Sequence, residues 1–206
     1  MSSDDLDDPK VRYALYKLQD ILEAQQEDPD PDFQDIISHK QAVLKRYQQV
    51  FNPQRIHLLS KKEFEDFLLY RNNHHWTDLH RVRKYMTENM ALLRKALAML
   101  LDESHPVRER LNLIRPERYW GEHSMVSHLG TPVLTAILMV VYPEKYGVWN
   151  NTSDEGLQIV RLWDSRWEVD PAGDVYEEMN QIYLQLCHYL KIDLWTLDAL
   201  WWVLKK

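Results

Sequence analysis

Two short stretches of this chain carry the residue types from which a reactive site could be built. The first is Trp149-Asn150-Asn151-Thr152-Ser153-Asp154-Glu155, a polar run that follows an apolar segment and Pro143. Helix N-termini expose unpaired N–H groups and a partial positive charge, so polar side chains there either cap the helix or form a site. Asp154 falls in the first turn, where a carboxylate could face developing positive charge. Dipole complementarity alone would also put an acid there. The second stretch is Asn72 to Arg81, with His74, His75, Trp76, His80 and Arg81 close together. Trp76 offers a π-face, and His74 or His75 a polar donor, to an exposed base or sugar. The alternative is a loop whose Trp76 and Leu79 plug the core. Two histidines on one helical face would sit four apart. His75 and His80 are five apart, and no His-Glu-x-x-His or zinc-spaced Cys/His pair occurs. No metal and no cofactor is expected.

These residues need elements to hold them, and the stretch before Asn150 is the most telling. Ser127-His128-Leu129-Gly130-Thr131-Pro132 reads as a turn, and Val133–Tyr142 as an apolar helix. A tight glycine turn with outward N–H groups suits phosphate binding. A proline-started buried helix with a glycine before it explains the same letters. The order of glycine hairpin, buried helix and polar residue at the next N-cap resembles the helix-hairpin-helix DNA glycosylases over residues 125–157.

That resemblance implies an all-α, orthogonal multi-helix domain whose hairpin grips a DNA phosphate, with His128, Gly130 and Thr131 at the turn. It implies base flipping and hydrolysis of an N-glycosidic bond, for which a carboxylate near the sugar is the minimum. The family's first hairpin glycine is replaced by His128. Its aspartate position falls near Asn150, so Asp154 becomes the candidate acid, and Asn150 and Asn151 could hold the flipped nucleotide or a water. Thr131 and Pro132 occupy the region where bifunctional members carry a lysine, which implies a monofunctional enzyme with no covalent adduct. The substrates implied are damaged bases or, in microbial defence, hypermodified bases of invading DNA. Asn150 equally fits a non-catalytic all-α DNA-binding or adaptor module, and a helical protein-interaction domain is a third option.

Composition sets the frame around these motifs. The 206 residues can bury a substantial core, and only five glycines argue for helices over a turn-rich β architecture. The net charge of −7 is unevenly spread. Residues 1–35 and 136–206 are acidic, whereas 36–135 are basic and carry Arg81, Arg83, Lys84, Arg94, Lys95, Arg108, Arg110, Arg115 and Arg118. An acidic total therefore does not exclude DNA as a partner. A solvated helical face with balancing acids is the other reading of that segment. Cys187 is read as a small buried hydrophobe. Eight tryptophans include Trp120, Trp149, Trp163 and Trp167 at helix or loop edges, available for a base pocket or for core packing. No apolar run is long enough to span a bilayer. The acidic start Met-Ser-Ser-Asp-Asp-Leu-Asp-Asp is unlike a secretory leader. A cytoplasmic monomer is expected, with no membrane partner.

The periodicity predicts helices at 9–26, 33–50, 61–71, 77–85, 88–103, 106–114, 131–142, 153–163, 173–190 and 194–204. Asp28-Pro29-Asp30-Pro31-Asp32 reads as a hinge between an acidic N-terminal segment (1–32) and a single all-α domain (33–206).

Overall fold

The computed structural model describes residues 8–115 and 124–206. The described residues form α1 (Pro9–Glu27), α2 (Pro31–Val50), α3 (Lys61–Phe67), α4 (Tyr70–Asn73), α5 (Arg83–Met86) and α6 (Met90–Leu100). These are followed by α7 (Val107–Ile114), α8 (Thr131–Val141), α9 (Asn151–Ile159), α10 (Ala172–Leu190) and α11 (Leu194–Leu204). Single 3₁₀ turns lie at Ile56–Leu58 and Ser165–Glu168, and no strand occurs among the described residues. The chain is all-α. No helix of the described residues is long and apolar enough to cross a membrane.

Local chemistry sets the helix ends. Asp8 and Asp30 cap α1 and α2, each followed by a proline in the first turn, where its missing N–H costs nothing. The Asp28–Asp32 segment is thus a stop and a restart. Lys206 Nζ reaches back to Asp30 at 2.7 Å and Asp32 at 2.9 Å, tying the last residue to the start of α2. That ammonium holds the Asp30 carboxyl below its usual range. Ser60 and Glu63 form a capping box at the start of α3. Thr87 bonds back to the Arg83 carbonyl, and Asn89 caps α6.

Two elements organise the interior. Nearly every side chain of α8 is buried, from Val133 through Val140 without a break. Helix α11 packs against α1, α2, α9 and α10. It buries Trp195 and Trp201 and sends the Trp195 indole N–H to the Ile36 carbonyl of α2 at 3.1 Å. Ala14 and Leu18 of α1 are fully buried, so the N-terminal helix belongs to this core. Cys187 is buried as expected, and burial pushes its thiol up to about 12.

Helix α9 lies against α11 at a distance set by one residue. A Cβ on Gly156 would fall 2.5 Å from Trp201 Cε3 and 2.9 Å from Cδ2. Helix propensity favours alanine over glycine by about 1 kcal/mol, while overpacking a rigid aromatic costs about 1–3 kcal/mol. Gly156→Ala should therefore lower stability on balance. Each kcal/mol at this chain length corresponds to about 2–4 °C in Tm. Thermal denaturation checks it, and an unchanged or raised Tm would contradict the close packing.

Candidate functional site

The helix expected over 77–85 is largely absent, and the difference builds the site. After α4 the chain turns at His74, whose φ of 52° ends the helix in the left-handed region. Asn73, fully buried, then holds the loop with its side chain. Its Oδ1 accepts the N–H groups of His75 and Trp76, both at 2.8 Å. Its Nδ2 donates to the carbonyls of Phe67 and Trp76 at 3.0 and 3.2 Å. These local bonds replace helical ones. Only Arg83–Met86 closes a helical turn.

His75 and Trp76 are directed inward by this loop, with stacked rings 4.7 Å apart and 2° from parallel. Trp195 meets both edge-on. The Trp76 indole N–H donates to Asp198 Oδ2 of α11 at 2.9 Å. His75 Nε2 lies 2.8 Å from the same oxygen, off the line of a straight hydrogen bond, and His75 Nδ1 has no partner. Both side chains of the His75–Asp198 pair are nearly buried, at 3% and 6% exposure.

This group forms part of a cleft of about 680 Å³, which brings together much of what the sequence separates. His75 and Trp76 line it with His128 and Gly130 of the turn and with Asn150 and Asn151 at the start of α9. Asp198, Trp202 and Glu155 complete the part relevant to chemistry. At the turn, His128 has φ 60°, and Leu129 beneath it is fully buried. His128 thus adopts the left-handed backbone that glycine takes freely. Gly130 has φ −83° and needs no glycine for its backbone; it is the N-cap residue of α8 and has no side-chain cap bond.

Other expected site residues fall elsewhere. His74 turns away from the cleft and stacks on His39 at 3.8 Å, 3° from parallel. Asp35 takes the two Nδ1 atoms on its two oxygens, at 3.1 Å from His39 and 3.4 Å from His74. These three side chains have ligand atoms within 4.8 Å of one another. In parallel rings, however, the lone pairs run side by side and do not converge on one point. Trp149 is 2% exposed and does not line the cleft; its indole N–H donates to Asp154 Oδ1 at 2.8 Å. Asp154 is thereby turned to the buried tryptophan. Asn150 Oδ1 accepts the Ser153 N–H at 3.0 Å, which makes it the cap of α9. Thr131 is buried, with its carbonyl bonded by Thr135 Oγ1.

The basic segment divides in two. Arg110 is buried and bonds the Leu100 carbonyl, Glu103 and the Tyr146 hydroxyl; Arg115 is buried as well. Neither reaches the surface. Arg83 and Lys84 lie on α5, whose Tyr85 ring packs 4.7 Å from His128, so both stand beside the turn. Arg81 pairs with Asp78 at 2.8 Å on the cleft rim. Trp167 is buried against half-buried Trp163. Trp120 and Arg118 lie outside the described residues.

Trp76 offers no open face, because His75 covers it and only 5% of the residue is exposed. Half-buried Trp202 is the more accessible aromatic of the cleft. Asn73, Asp198 and Trp202 are the residues that the motifs did not single out. For Asp198 a signal existed: it is the one charged residue in the mostly apolar run 194–204. No family profile, curated sequence or solved structure matches this chain.

Two variants test this construction. Asn73→Ala leaves buried N–H and C=O groups unpaired and should cost about 2–3 kcal/mol by chemical denaturation. At the turn, His128→Val should be less stable than His128→Gly by about 1–2 kcal/mol, since a β-branched residue is strained at positive φ. Equal stability of the two would remove the left-handed turn.

Proposed function

We propose that this chain is a monofunctional DNA glycosylase of the helix-hairpin-helix type, which takes an extruded modified base into the cleft and hydrolyses its N-glycosidic bond. One observation carries the reading. The turn residues His128 and Gly130, the Asn150–Asn151 helix start and the His75–Trp76 loop line a single cleft, although they come from three separated parts of the sequence. The resemblance uses the first two of these together, and a flipped nucleotide needs a polar, aromatic recess beside a phosphate-binding turn. Further support comes from the left-handed backbone of His128 where the family has glycine. The cleft volume suits a base with its sugar.

Each part has a role under this reading. The backbone at Gly130 and the start of α8 approach a phosphate, with Arg83 and Lys84 beside it. Asn150 and Asn151 meet the polar edge of the nucleotide, and Trp202 stacks on it. Thr131 and Pro132 occupy the region after the turn where bifunctional members carry their Schiff-base lysine, so under this reading water is the nucleophile. A second reading, a non-catalytic DNA-binding module, is favoured by the use of Asn150 as a cap and of Asp154 as the partner of Trp149.

The experiment is incubation of duplexes carrying a panel of modified bases, with free base and abasic sites measured separately. Expected are intact strands with abasic sites, cleaved only by later alkali, and no adduct trapped by borohydride. Binding should fall steeply with salt through counterion release. A trapped adduct would refute the monofunctional assignment, and binding that is absent or insensitive to salt would refute the DNA partner. Salt-sensitive binding without base release would establish the second reading.

A further inference from the structure

We propose that Asp35, His39 and His74 form a binding site for one divalent ion of the zinc class, outside the cleft and independent of the DNA reading. Asp35 and His39 stand four residues apart on one face of α2, and His74 ends α4. Among the described residues this is the one group of three or more histidine, cysteine and acidic side chains whose ligand atoms all lie within 4.8 Å of one another. The donors select the ion. Two imidazoles with one carboxylate suit zinc and its transition-metal neighbours, whereas magnesium and calcium take oxygen ligands.

The spacing is already close to that of a coordination shell. Two ligands of a tetrahedral ion, each bound at about 2.0–2.1 Å, lie about 3.3–3.4 Å apart. His39 Nδ1 is 3.1 Å from one Asp35 oxygen, and His74 Nδ1 is 3.4 Å from the other. What the stacked arrangement lacks is aim, because parallel rings send their lone pairs out side by side. A turn of one ring corrects this. The χ2 torsion of histidine is broad and costs little to change. The His39 and His74 side chains are 40% and 28% exposed, so packing does not lock either ring. His39 then exchanges its 2.9 Å contact with the Asp35 carbonyl for a bond to the ion. The same exposure admits water to complete the shell. The Tyr70 hydroxyl donates to Asp35 Oδ2 at 3.3 Å, an outer partner of the kind that orients a ligating carboxylate.

The position gives the ion a structural consequence. His74 is the left-handed residue at which α4 ends, and the next two residues, His75 and Trp76, line the cleft. An ion shared by α2 and His74 ties that loop to the helix from its outer side, as Asn73 holds it from within. Binding to the folded chain raises its stability by mass action.

The test uses the full chain, stripped with a chelator and titrated calorimetrically with zinc chloride. Expected are one ion per chain, a Tm that rises with zinc, and no competition from an excess of magnesium. His39→Gln keeps a good helix former in α2, and His74→Asn keeps a residue that tolerates left-handed backbone, so both should fold. Each should weaken zinc binding by about tenfold or more and remove the rise in Tm. His188→Gln, at an exposed position of α10, should change neither. X-ray absorption at the zinc edge should show two imidazoles together with oxygen ligands. No zinc binding by the unmodified protein would overturn the site, and that measurement needs no variant to fold. Undiminished binding in either His39→Gln or His74→Asn, or fewer than two imidazoles at the ion, would overturn it as well. None of these results bears on the DNA reading, which the base-release assay tests by itself.

Discussion

The hydrogen bond from the Trp76 indole to Asp198 joins residues 122 apart in sequence, and the cleft depends on it. On one side is a loop with little regular structure of its own. On the other is α11, the most widely contacted of the late helices. A loop is held in one conformation only when its bonds outweigh the entropy of ordering it, about 1–2 kcal/mol per residue for the backbone. Asn73 provides the local bonds and Asp198 the distant one. Stacking of His75 on Trp76, and of both against Trp195, then buries the aromatic surface that makes the arrangement stable. The floor of the cleft is therefore made of core residues, and its geometry is as fixed as the core itself.

This coupling explains which parts of the structure were legible in the sequence. The long helices were, because their 3.6-residue apolar pattern is strong and the apolar run after Gly130 marks a real boundary; the Asp28–Asp32 segment, which reads as a hinge, instead caps α2 and starts it at Pro31. The segment 77–85 was misread because its apolar spacing mimics a helix. What decides its path is a buried asparagine bonding to the backbone around it, and hydrophobic periodicity carries no trace of that. The same holds for the site. The turn, Asn150, Asn151, His75 and Trp76 were found from their types and neighbours. His74 was grouped with His75 because they are adjacent, but a left-handed residue between helix and loop sends the two side chains to opposite uses. Spacing from the turn points to Asn150 and makes Asp154, one helical turn further on, the candidate acid, whereas its carboxylate is engaged by the tryptophan five residues before it. Pairings of that kind are set by packing, and sequence spacing does not encode them.

The rim of the cleft differs from its floor in how charge is handled. Arg81 faces Asp78, Lys205 faces Glu155, and Lys206 faces Asp30 and Asp32, all at 2.7–2.9 Å. Exposed pairs of this kind contribute little, about 0–1 kcal/mol each. A phosphate can therefore replace a carboxylate at small cost, but it also gains little by doing so. The strongly acidic residues 1–35 act in the same direction, since two of these carboxylates come from them.

It follows that a polyanion would gain only part of its affinity from the visible cations, and that Arg83 and Lys84 beside the turn matter more than their number suggests. Among the described residues no carboxylate pairs with either of them, and the Tyr85 ring against His128 fixes α5 beside the turn. Discrimination would then come from the interior, where dielectric screening is weakest and every polar group has a set position. There His75 Nδ1 and the Trp202 indole N–H have no hydrogen-bond partner among the described residues. Under the proposed function, a weakly binding rim would let the protein sample many sites, and a discriminating floor would commit it only when a nucleotide enters the cleft.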